Sequence, residues 1–242
     1  MTRPLTVVSL LPELLDTNGD ASNARVLAQR ARWAGHGASV VPVTAGEALP
    51  AAVDAVVLGS GVDADFEAAR GALLPLAETL REWVSAGVPV LAVGTGWELL
   101  SWGVELADGH VIEGLGVIPG RAVRSPARLT GDLVVSSRFG RLIGFENHAR
   151  YYVGAEGSPL GRTVSGTGNG SGTEGVIVGS VIGTHMHGPV LARNPALGDH
   201  ILTVALGRDG RSYARGGRSA EVDEIAKAAR NQIAVRLGLA TE

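Results

Sequence analysis

Three short stretches carry side chains that could do chemistry. Thr184-His185-Met186-His187-Gly188-Pro189 follows the apolar run Val181–Gly183. Side chains alternate faces along an extended strand, so His185 and His187 share one. Two imidazoles could begin a metal site, but no third ligand of fitting spacing stands out. The alternatives are a general base or a purely structural pair. Gly144-Phe145-Glu146-Asn147-His148 gathers an acid, an amide and an imidazole at what reads as a strand end. A hydrogen-bonded turn would account for those residue types as well. Arg128, within Ala127-Arg128-Leu129-Thr130-Gly131-Asp132, has the planar fork that clamps a carboxylate, although an isolated arginine ordinarily sits at the surface.

Two glycine turns could place such groups. In Val88–Trp102 a short apolar run leads into Gly94-Thr95-Gly96 and then into the helix-like Trp97-Glu98-Leu99-Leu100. A buried parallel strand, a sharp turn and a helix have this pattern. In α/β enzymes such a turn is a nucleophile elbow, holding a reactive side chain at a strand's carboxyl end against a helix N-terminus. The tip here is Gly94, which has no side chain to present. Gly59-Ser60-Gly61-Val62-Asp63 also follows an apolar run, and its backbone amides could bind developing negative charge. On its own it reads sooner as a plain β-turn. Gly166–Gly172 reads as a flexible loop, and without a strand-to-helix context its glycines do not make a phosphate site.

These turns need a scaffold. Leu5–Leu10, Ala38–Val43, Asp54–Leu58 and Val88–Val93 read as strands, with helices over Ala24–Ala34 and Phe66–Ala86. Asp20 or Ser22 is placed to cap the first helix. The order predicts an open, mostly parallel, doubly wound sheet. From Val111 to Ile182, glycine and proline punctuate short pieces at Arg121–Val123, Leu133–Ser137, Leu142–Phe145 and Val176–Val178, which read as antiparallel additions. Helices follow over Asn194–Leu206 and Glu221–Leu237, and neither an internal repeat nor a linker is evident. The expectation is one domain over residues 1–242. A chain of 242 residues should bury roughly 70% of its unfolded surface.

Composition excludes several classes. The net charge of −3 offers no polybasic face for nucleic acid. No apolar run reaches the ~18 residues of a membrane span, and Pro4, Pro12 and Glu13 interrupt any signal-peptide layout, so a cytoplasmic location is expected. There is no cysteine, hence no disulfide, no thiolate metal site and no cysteine nucleophile. No P-loop is present and Lys227 is the only lysine, so no ATP chemistry and no cofactor is expected.

Taken together, these stretches resemble the GatD-type glutamine amidotransferases, more broadly the amidotransferase domains of cobyric and cobyrinic acid amide synthases. The likeness runs collinearly from about Leu14 to Leu202. It begins with Gly19-Asp20-Ala21-Ser22-Asn23, passes through Gly59–Asp63, the elbow, Ala127–Asp132 and Gly144–His148, and ends at Gly183–Pro195. It implies a class I amidotransferase (flavodoxin-like) α/β fold. It also implies a glutaminase subunit paired with a MurT-like Mur ligase in amidation of the lipid II peptidoglycan precursor, with glutamine or a related amino acid as ligand. Carried over, His187 falls in the catalytic histidine-glycine-proline motif and Arg128 on the substrate-binding arginine. The oxyanion glycines fall within Gly59, Ser60 and Gly61, and Asp20 is placed to orient the histidine.

The departure is at the centre. The family elbow carries a cysteine followed by two glycines, an aromatic and a glutamine. This chain has Gly94-Thr95-Gly96-Trp97-Glu98, so the cysteine position is Gly94 and Glu98 stands at the glutamine. Glutamine hydrolysis needs a thiolate to attack the side-chain amide. The resemblance therefore implies either a subunit that has lost its glutaminase reaction or a non-catalytic amino-acid-binding or scaffold protein.

Overall fold

The computed structural model describes residues 3–242. In chain order the elements are β1 (Leu5–Leu10), α1 (Ser22–Trp33), β2 (Ala38–Val43), β3 (Ala55–Leu58), α2 (Phe66–Leu73), α3 (Ala77–Ser85), β4 (Val90–Val93) and α4 (Thr95–Leu100). Next come β5 (Gly103–Glu105), β6 (Val111–Glu113), β7 (Arg121–Ser137), β8 (Gly140–Val153), β9 (Gly161–Ser165), β10 (Thr173–Glu174) and β11 (Val176–Val178). The chain closes with β12 (Val181–Thr184), β13 (Met186–His187), α5 (Val190–Arg193), α6 (Pro195–Gly207) and α7 (Gly217–Arg236).

One sheet has the order β11-β12-β4-β3-β1-β2, parallel throughout except for the β11 edge. Its inner strands β3 and β4 are buried at every residue, as expected where helices cover both faces. One apolar cluster, including Val8, Val56, Phe66 and Trp97, lies among the residues packed on one side. A second, including Val7, Val57, Leu91 and Leu202, involves α1 and α6. The chain order turns back between β1 and β3, and the carboxyl ends there are where doubly wound sheets bind ligands. Register puts Leu10 beside Leu58, Leu58 beside Ala92, and Val93 beside Thr184. The turns that leave these strands therefore meet at one edge.

The second sheet corrects the picture of short antiparallel pieces. Arg121–Val123 and Leu133–Ser137 are the ends of one 17-residue strand, β7, paired along the 14-residue β8. Pro126 does not break β7 because it lies where the register slips between Arg124 and Leu129, a bulge with no ladder bond for it to miss. Phe66–Ala86 is likewise two helices, α2 and α3, separated by a 3-10 turn at Leu74–Leu76 that contains Pro75. The last helix starts at Gly217 rather than Glu221, and the predicted Asn194–Leu206 helix is α6 preceded by the short α5. Asp20 and Ser22 do not cap α1. The Ala21 amide donates instead to Asp16 Oδ1 at 2.8 Å. Among the described residues no helix is long and apolar enough to cross a membrane.

Candidate functional site

Four turns converge at the sheet's carboxyl edge. After β3, Gly59 and Gly61 pass so close to the Leu11–Leu15 segment that no side chain fits. An ideal Cβ would lie 2.0 Å from Leu15 O at Gly59 and 2.5 Å from Leu14 O at Gly61. Ser60 thereby turns into the crevice. After β4, Gly94 sits at φ +50°, ψ −119°, a backbone state that glycine alone adopts without strain. Its amide donates to Thr184 O at 2.9 Å, tying the turn to β12. A Cβ built on Gly94 would point at Ser60 Oγ (2.5 Å) and at His187 Cε1 (2.9 Å).

His187 is held from behind. Its Nδ1 lies 2.8 Å from Asp20 Oδ2, while Asp20 Oδ1 accepts the Gly188 amide at 3.1 Å. Both side chains are buried, and the far ring nitrogen, Nε2, has no partner. With a carboxylate accepting at Nδ1, the imidazole carries a proton on that nitrogen. Ser60 Oγ occupies the space ahead of Gly94 and accepts from the Thr95 amide at 3.3 Å. Thr95 itself faces away from His187, its hydroxyl donating to Gly61 O at 3.0 Å. The structure thus brings together Asp20, Gly59, Ser60, Gly61, Gly94 and His187.

The adjoining cavity, about 150 Å³, is bordered by Ser60, Gly94, Glu98, Arg128, Asn147 and Arg150. Arg128 is exposed at its rim and donates from Nε to Asn147 Oδ1 at 2.9 Å. The β7 bulge lies at this point of the strand. Glu98 is buried and paired with Arg150 at 3.2 Å, and Arg150 reaches Asp63 at 2.7 Å. Burial pushes the Glu98 carboxyl up, against the pull of Arg150. Burial also works against the Arg150 cation, but Glu98 and Asp63 more than offset it and raise its pKa. Arg150 was not singled out from the sequence. The signal was the period-two run Glu146, His148, Arg150, Tyr152, one buried face of β8.

Glu146-Asn147-His148 is the middle of β8, not a strand-end turn. The Glu146 carboxylate accepts the Thr167 and Gly168 amides, each at 2.9 Å. These bonds and His148, against the effect of burial, lower its pKa. They also anchor the glycine-rich loop over 166–172, committing the Thr167 and Gly168 amides to Glu146. His185 and His187 have separate partners. His185 stacks on His148 at 3.9 Å and meets Trp97 edge-on at 4.5 Å, with Glu174 Oε2 3.3 Å from its Nδ1. Burial, aided by the His148 charge, pushes the His185 imidazole down to about 4. Among the described residues no group of three metal-ligating side chains is assembled.

This geometry meets a sequence match that extends over most of the chain. Residues 10–195 match the model of the CobB/CobQ-like glutamine amidotransferase domain. The chain belongs to that family. It is 30% identical over 236 residues to the GatD subunit of a lipid II isoglutaminyl synthase (glutamine-hydrolyzing) from Staphylococcus aureus, covering 96% of this chain and 95% of the relative. The subunit of the same name from Streptococcus pneumoniae is 31% identical, over 84% of this chain and 80% of its own. The fold is also that of solved amidotransferases. A crystal structure of a glutamine amidotransferase superposes with a TM-score of 0.57 at 19% identity, covering 82% of this chain and 98% of that one. A second, from Thermotoga maritima, gives 0.54 at 16% over 94% and 92%. Where the resemblance implies a cysteine in the turn after β4, the residue that faces His187 here is a glycine.

Proposed function

We propose that this chain is the amidotransferase-type subunit of a lipid II isoglutaminyl synthase, docked on a MurT-like Mur ligase partner, and that it does not hydrolyse glutamine itself. The observation that carries this reading is Gly94. A Cβ on Gly94 would lie 2.9 Å from His187 Cε1, yet the residue carries no side chain, and Ser60 Oγ stands 2.5 Å from that point. The rest of the cradle favours ligand retention. Arg128 is placed to hold an α-carboxylate, Asp20 fixes the His187 ring, and the cavity of about 150 Å³ suits a small amino acid.

In this role the subunit shapes the partner and retains an amino acid, while ammonia for amidation comes from solution. The residues support binding by charge and hydrogen bonding. A carboxylate meets Arg128 through a planar two-point contact, and His187 Nε2 is the unpartnered ring nitrogen left to meet an N–H from the ligand's far end. A non-catalytic amino-acid-binding protein without a ligase partner is the second reading, favoured by the same cavity. Co-expression with the Mur-ligase-like protein of the same organism separates them. The proposed complex co-purifies and amidates lipid II with ammonium but not with glutamine. Ammonia released from glutamine by the purified pair would overturn the loss of hydrolysis. Failure to co-purify, with calorimetry still showing glutamine binding that Arg128→Ala abolishes, would leave the binder.

A further inference from the structure

Two asparagines link Arg128 at the rim of the cavity to His187, which lies beside Gly94. Arg128 Nε donates to Asn147 Oδ1 at 2.9 Å, Asn147 Nδ2 donates to Asn18 Oδ1 at 3.3 Å, and Asn18 Nδ2 lies 3.2 Å from His187 Nδ1. Arginine can only donate, so it fixes the Asn147 amide with oxygen outward. That choice fixes Asn18 in turn, with its NH2 toward the ring. At the other end Asp20 can only accept, so Nδ1 must be a donor. Two donors therefore face each other at 3.2 Å, and the conflict originates at Arg128.

We propose that Asn18 and Asn147 are positioning residues that couple a carboxylate on Arg128 to His187 by flipping together. The proposal rests on the reading of Arg128 as the carboxylate clamp. A carboxylate that takes Nε together with one terminal nitrogen, the side-on mode of the arginine fork, releases Asn147. Both amides then turn over. Asn147 offers its oxygen to Asn18, and Asn18 offers its own oxygen to His187 Nδ1–H. The ring proton gains a second acceptor beside Asp20, and Nε2, buried and unpartnered, becomes the stronger acceptor toward the crevice. A ligand seated by its carboxylate is thereby favoured if its other end carries an N–H, which selects an ω-amide over an ω-carboxylate. No bond is made or broken in this step.

The test uses the full chain with 15N-labelled histidine, at a mildly alkaline pH where imidazole is neutral. His187 is assigned by its loss in His187→Gln. In the ligand-free protein, Asn147→Leu and Arg128→Leu should each move the His187 Nδ1–H resonance downfield, and the double variant should add nothing further. Glutamine should shift the wild type in the same direction and leave Asn147→Leu unmoved. Calorimetry should show the preference for glutamine over glutamate kept in Asn147→Leu, where Asn18 is already free to turn its oxygen to the ring. That preference should fall about fivefold in Asn18→Leu, which removes that acceptor, the equivalent of one net hydrogen bond. An Nδ1–H resonance unchanged by Asn147→Leu, or additive shifts in the double variant, would overturn the coupling. If glutamine does not bind at all, the carboxylate-clamp reading fails, while the ligand-free comparison still judges the amide relay by itself.

Discussion

Replacing Gly94 by cysteine should place a thiol beside His187 in a crevice with little room for it. The backbone at φ +50°, ψ −119° costs a non-glycine residue about 1–3 kcal/mol. The new Cβ would lie 2.5 Å from Ser60 Oγ and 2.9 Å from both Ser60 Cβ and His187 Cε1, and overpacking of this kind costs about 1–3 kcal/mol more. At roughly 2–4 °C per kcal/mol for a chain of this size, Gly94→Cys should melt on the order of 10 °C lower. Ser60→Gly in the same protein removes two of the three contacts and frees the Thr95 amide from its 3.3 Å bond, so part of the loss should return. A nucleophile is worth roughly 10⁶-fold in kcat where it has been removed from a serine protease. Only the double variant should recover a large part of such a factor. Its thiolate attacks the glutamine side-chain amide, and His187 passes the thiol proton to departing ammonia. Ammonia release in the presence of the ligase partner is the assay. Iodoacetamide labelling of the introduced thiol, the sole one in the chain, is the control for thiolate formation. A folded double variant whose labelling depends on His187 but which releases no ammonia would refute the cradle reading. Equal activity of the single and double variants would refute the obstruction by Ser60.

Two further outcomes follow from the buried charges. Burial lowers His185 to about 4, below its ordinary value near 6.5, so the folded state binds fewer protons than the unfolded one between those values. Stability is therefore complete above about pH 6.5 and should fall as pH drops toward about 4, by up to about 3 kcal/mol. Urea titrations across that window should show the slope, and His185→Gln should flatten it. Glu98→Ala strands the buried Arg150 beside the half-exposed Asp63 and should cost about 3–5 kcal/mol in chemical denaturation, whereas Glu98→Gln keeps an acceptor for the guanidinium and should cost less than half as much.

The parallel sheet is legible in the sequence because each inner strand is an apolar run closed by a turn, and such runs depend on local pattern. The β7–β8 hairpin is not, because the residues that seem to break it are explained only by what they touch. Pro126 lies in the bulge, and Gly144 is where Met186 packs, a Cβ there lying 2.5 Å from its Cβ. Asp20 shows the same limit from the other side. Its position before a helix is a capping signal, yet Asp16 bonds the Ala21 amide and Asp20 turns to a histidine 167 residues away. The same limit hides Arg150, which meets Glu98 across 52 residues with no spacing to connect them.

The features that escaped local pattern also distinguish a decayed site from a maintained one. A crevice that had merely lost its nucleophile would have no reason to keep the Asp20–His187 pair, since a buried carboxylate and imidazole are costly unless matched. Nor would it need Gly59 and Gly61, whose absent side chains let the Leu11–Leu15 segment approach the site. Here both are intact, the elbow turn keeps φ +50° at Gly94, and Ser60 Oγ occupies the space ahead of it. The buried Glu98 is matched by the buried Arg150 rather than left unpaired. Ser60 fills the space beside Gly94, and Arg150 balances the buried Glu98 charge. Such matching in packing and in charge is what the proposed binding or docking role would require of a site without an attacking group.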